Sequence, residues 1–72
     1  MESDQLARRI RAFRKLKGYT QAELAERLGV SIGILGAVER GTRLPDEQLI
    51  GKIVEVLGVA RSELLPQTDK GR

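Results

Sequence analysis

The carboxylates Glu23, Glu26, Glu39, Glu47, Glu55 and Glu63 are scattered over the chain without metal-ligand spacing, and no histidine or cysteine accompanies them. Imidazole acid-base catalysis, thiol nucleophiles, disulfide scaffolds and zinc fingers are therefore excluded, since each needs one of the two missing residue types. No glycine run forms a phosphate-cradling loop, because each main glycine closes a helical segment or lies inside one. Catalysis, cofactor use and a metal site are not expected. What remains is charge: 13 Lys and Arg stand against 10 Asp and Glu, a net of +3. Six of the basic residues and only two acids fall within residues 1–18. The first segment thus carries the positive field.

Seventy-two residues make one small domain whose core must rest on apolar packing alone. No run of about 18 uncharged apolar residues is present to span a membrane, and the start Met-Glu-Ser-Asp-Gln is acidic where a signal peptide is basic. A soluble, cytoplasmic protein with no membrane partner is expected. No pattern suggests a small-molecule ligand.

The elements that must position the charged groups are helices. Leu6, Ile10, Phe13 and Leu16 recur at spacings of three and four, which predicts an amphipathic helix from about Asp4 to Lys17, stopped at Gly18. Thr20-Gln21-Ala22-Glu23 has the Thr-x-x-Glu form of a capping box and opens a second helix, with Ala22, Leu24, Ala25 and Leu28 inward and Gly29 as its stop. Ser31 caps a third, from about Ile32 to Arg40, burying Leu35 and Val38 and ending at Gly41. Asp46 caps a fourth along Leu49, Ile50, Ile53, Val54 and Leu57, ended by Gly58. A short fifth segment covers Arg61 to Leu65; Ala60 is a poor cap, which places its start near Ser62. The expectation is an all-α bundle of four to five short helices, residues 1–65, with 66–72 as a flexible tail.

The run Gly18-Tyr19-Thr20-Gln21-Ala22-Glu23-Leu24-Ala25, then Leu28-Gly29-Val30-Ser31, then Val38-Glu39-Arg40-Gly41 resembles the lambda-repressor-like family of Cro and repressor domains, the XRE-type helix-turn-helix proteins. Leu57-Gly58-Val59 and Glu63-Leu64-Leu65 continue the match, which covers roughly residues 6–65. The resemblance implies a DNA-binding transcriptional regulator, with helix two across the DNA backbone and helix three in the major groove. It also implies a structural ion pair between Arg14 and Glu39, and backbone contacts from Gln21, Thr42 and Arg43. Lys17, near the turn into helix two, joins them. Ser31 offers a hydroxyl there, or serves only as the N-cap. Arg8, Arg9 and Arg11 read better as a solvated face.

Carried over by position, the recognition-helix face is Ile32, Gly33, Ile34, Gly36, Ala37 and Arg40. Only Arg40 has a polar side chain, so the bidentate contacts that read purines are missing. Three accounts of this face are open: plain tolerance of small residues, close approach to DNA by shape and methyl contacts, or docking of a protein through Ile32 and Ile34. The last would make the chain an adaptor or antitoxin-like module on the same scaffold. Specific operators require two-fold dimers. A homodimer here would have to use helix five, with Leu64 and Leu65, or the surface between helices four and five.

Overall fold

In the computed structural model, which describes residues 2–65, the chain forms α1 (Glu2–Leu16), α2 (Gln21–Leu28), α3 (Ile32–Arg40), α4 (Glu47–Leu57) and α5 (Arg61–Leu64). Residues 66–72, expected to be a tail, lie outside the described residues. The all-helical architecture is as expected, with no strand among the described residues. No helix is long and apolar enough to cross a membrane.

The boundaries follow the caps. The Thr20 hydroxyl accepts the Glu23 amide at 3.1 Å, while the Glu23 carboxylate accepts the Thr20 amide at 2.8 Å, completing the box. The Thr20 backbone amide, then its hydroxyl and more weakly Arg27, hold the exposed Glu23 carboxyl below its ordinary range. Asp46 accepts the Leu49 amide at 2.8 Å and opens α4 in the same way. The last helix starts at Arg61 rather than Ser62 although Ala60 offers no side-chain cap, and the Glu63 amide donates to the Ala60 carbonyl at 2.9 Å. The Glu63 carboxylate accepts the Ala60 amide at 2.8 Å, the reciprocal half of a capping box. Arg61 also pairs with Glu47 across α4 and α5, and Arg9 of α1 donates to the Glu63 carbonyl at 3.0 Å.

Ile10, Leu24, Leu28, Leu35, Val38, Ile53, Leu57 and Leu64 are fully buried and join Leu6 and Ala25 in one core. Helix α1 packs on α3, α4 and α5, and α2 packs on α3 and α4. Three sequence expectations need correction. Leu16 is 75% exposed, because the chain turns away at Lys17 and the last inward position of α1 is taken by Arg14. Ala22 is exposed: an eight-residue helix buries one stripe, here Leu24, Ala25 and Leu28, and Ala22 stands about 200° from Leu24. Leu64 is fully buried against the other helices, so it is core and not a dimer contact.

Candidate nucleic-acid interface

Only Gly29, Val30 and Ser31 separate α2 from α3. Gly29 sits at φ +75, where any side chain would be strained, and its amide donates to the Glu26 carbonyl while Val30 donates to Ala25, each at 3.1 Å. Val30 packs against the core from this corner. The Ser31 hydroxyl then accepts the Ile34 amide at 3.1 Å, so α3 starts at once. Two short helices are thereby joined at a fixed angle by a tight turn, which is a helix-turn-helix.

Behind this unit lies a buried ionic cluster. Arg14 Nε donates to Glu39 Oε2 at 2.7 Å and its Nη2 to Oε1 at 3.1 Å, a two-pronged contact between α1 and α3. The third guanidinium nitrogen, Nη1, donates to the Tyr19 carbonyl at 2.9 Å. With side chains only 11% and 3% exposed, the two charges satisfy each other where little water reaches. Arg27 lies over the Tyr19 ring at 5.1 Å, pinning the loop between α1 and α2 from outside.

Gln21, the first residue of α2, is tied into the same cluster. Its Nε2 donates to Glu39 Oε1 at 3.1 Å, so the head of α2 is held against α3 by a side chain as well as by the turn. The second amide hydrogen of Gln21 is left for another acceptor. Gly36 explains how this is possible, and it departs from the sequence expectation. It is buried rather than part of the outward face: a Cβ there would lie 3.1 Å from Arg40 Nη1 and 3.8 Å from the Gln21 carboxamide. Arg40 therefore folds back along its own helix toward the head of α2. Gly33, by contrast, is open and exposed, with only the Ser31 hydroxyl within contact of a Cβ.

The remaining expected site residues divide by what their polar atoms already do. Thr42 donates its hydroxyl to the Ala37 carbonyl at 3.2 Å and its amide to the same oxygen at 3.0 Å, so it caps α3 and has no hydroxyl proton left for a phosphate. The Ser31 oxygen accepts the Ile34 amide, but its own proton is not spent there. Arg43 is exposed and lines a groove with Val30, Ile34 and Leu44, beside the first half of α3. Lys17 is exposed in the turn before α2. Ile32 is 51% exposed, and Ile34 and Ala37 are half-buried.

One residue of the solvated face of α1, exposed as expected, lies beside the ionic cluster. Arg11 borders the same shallow depression as Arg14, Gln21, Glu39 and Arg40. The signal was present in the sequence, because Arg11 precedes Arg14 by three positions and so shares its helix face. No group of three or more His, Cys, Asp or Glu side chains gathers among the described residues.

The helix-turn-helix family HTH_3 matches residues 10–64. An uncharacterized HTH-type transcriptional regulator, YazB of Bacillus subtilis, is 53% identical over 66 residues, which are 92% of this chain and 96% of YazB. The HTH-type transcriptional regulator SinR of the same species is 38% identical over 63 residues, and the match spans 86% of this chain but 57% of SinR. Among solved structures, SinR in complex with DNA superimposes with a TM-score of 0.77 at 40% identity, covering 82% of this chain and 98% of that one. The restriction-modification controller protein C.AhdI from Aeromonas hydrophila gives a TM-score of 0.83 at 32% identity, over 88% of this chain and 96% of that one. With the match extending from the middle of α1 to the end of α5, and with the tight turn and the buried pair in place, the chain belongs to the helix-turn-helix family of lambda-repressor-like, XRE-type transcriptional regulators.

Proposed function

We infer that the chain is a DNA-binding transcriptional regulator that lays α2 across the phosphate backbone and sets α3 in the major groove of double-stranded DNA. The observation that carries this reading is the tethered head of α2. Gln21 is fixed to Glu39, its second amide hydrogen is unspent, and the free amides of the first helical turn accompany it. Such an arrangement suits a phosphate oxygen, which takes hydrogen bonds from side chains and helix N-termini alike. Glu23, the acid in the first turn of α2, accepts the Thr20 amide within its capping box. The first turn of α3 has no acid, and its one acid, Glu39, is buried and paired. Lys17, Arg40 and Arg43 supply cations around the unit, and Ser31 adds a hydroxyl proton. A protein of this kind works in the cytoplasm, beside the chromosome of a prokaryotic cell.

Three cations that each neutralise one phosphate give a salt slope of about 2.7, since each released counterion contributes about 0.9. Affinity should then fall about 40-fold between 50 and 200 mM salt, read by fluorescence anisotropy on a labelled duplex. Arg43→Ala should lower the slope by about one unit while leaving the fold intact, because that side chain is exposed. A homodimer on two half-sites would double the slope. A slope near zero in the wild type would show that phosphates are not the partner.

A further inference from the structure

The exposed surface of α3 contains no hydrogen-bonding side chain between its cap and its last residue. Ile32, Gly33, Ile34, Leu35, Gly36 and Ala37 run without a polar side-chain atom. The Ser31 oxygen is engaged by the Ile34 amide, and Arg40 is folded back over Gly36 toward Gln21. What α3 presents at its N-terminal end is Ile32, 51% exposed, beside open Gly33 and half-buried Ile34 and Ala37. Arg43 flanks this apolar strip on one side, in the groove it shares with Ile34. A surface that is apolar at its centre and cationic at its edge fits a polyanion that displays apolar groups.

The major groove of DNA offers one such group, the C5-methyl of thymine. Guanine, cytosine and adenine edges placed under Ile32 would lose water from their acceptors and donors and gain no partner, whereas a pyrimidine C5-methyl gives the side chain an apolar contact. Resting on the DNA-binding reading above, we propose that α3 recognises 5-methylpyrimidines, reading thymine methyl groups through Ile32 and Ala37, with Gly33 permitting the close approach. The same surface rejects duplex RNA, which lacks that methyl and hides its bases in a deep, narrow major groove.

The test compares anisotropy titrations on short duplexes of one A·T-rich sequence, with either thymine or uracil throughout, at several salt concentrations. Each buried methyl is worth roughly a fourfold change in affinity, so two contacts give roughly 16-fold weaker binding to the uracil duplex. The salt slope should be equal for both. Replacing cytosine by 5-methylcytosine in a G·C-rich duplex should strengthen binding by a similar factor. Ile32→Ala, on an exposed position that leaves the core untouched, should shrink the thymine-to-uracil ratio toward one. Equal affinities for thymine and uracil duplexes with a normal salt slope would overturn the methyl reading and leave the DNA-binding reading standing. A ratio that Ile32→Ala does not change would also overturn it, because the difference would then come from duplex shape. Failure to bind any duplex, even at low salt, would overturn both.

Discussion

Glu39→Ala should lower the stability of the domain by about 3 to 5 kcal/mol, because it leaves the Arg14 guanidinium buried without its counter-charge. In a chain of this size that is a fall of about 12 °C or more in Tm. Glu39 accepts two hydrogen bonds from Arg14 and one from Gln21, and its side chain is 3% exposed. Once it is gone, Arg14 keeps only the Tyr19 carbonyl as partner. The cost is that of an orphaned charge rather than the worth of the pair, so the paired replacement Arg14→Met with Glu39→Leu should recover most of the loss. A Glu39→Ala protein within about 1 kcal/mol of wild type would mean that water reaches Arg14 and that the cluster is not sealed. The same single change frees Gln21, so it should weaken DNA binding even under conditions where the protein stays folded.

The second large effect is expected in the core of the helix-turn-helix. Leu35 lies on α3 and is wholly inaccessible to water. Leu35→Ala should cost about 2 to 5 kcal/mol through lost burial and the cavity left behind. A small domain has roughly 0.05 to 0.15 kcal/mol of stability per residue, so this one substitution removes much of the total. Leu16→Ala is the control. The same chemical change at a position 75% exposed should shift stability by less than about 0.5 kcal/mol. Urea unfolding would separate the two, with a lower midpoint for Leu35→Ala and an unchanged slope. Equal effects at the two leucines would contradict the packing described for α1 and α3.

The helices were legible in the sequence because their ends are written in local chemistry. Thr20 with Glu23, Ser31 and Asp46 open three of them, and Gly29, Gly41 and Gly58 close the same three with φ between +68 and +79. Periodicity is a poor guide near a helix end. Leu16 keeps the spacing of the α1 stripe, yet the chain has by then turned toward α2, and an arginine occupies the inward position. The start of α5 escapes a reading of cap types for a different reason, since Ala60 offers no side-chain cap and the Glu63 carboxylate accepts the Ala60 amide.

The candidate site was legible in part. Gln21 and Glu39 lie within the runs that carry the family resemblance, and Arg14 and Arg43 follow from that resemblance by position. How Gln21 and Arg40 lie across α3 did not show, because it depends on two side chains from different helices meeting over a residue with no Cβ. Gly36 could be placed on a face by counting, but its burial is set by the chains that cover it. The structural role of Thr42 likewise depends on the carbonyl its hydroxyl finds, that of Ala37.

The central claim is that α3 and the head of α2 together form the DNA-facing surface. Amide chemical shifts of the isotope-labelled chain, followed while an A·T-rich duplex is added, test it most directly. The account predicts that the largest changes gather on Gln21 and Ala22, on Ile32 to Ile34, and on Thr42 and Arg43, with α5 and the outer face of α4 unchanged. Changes centred on Glu55, Ser62 and Glu63 instead, with Gln21 and Ile32 still, would contradict it.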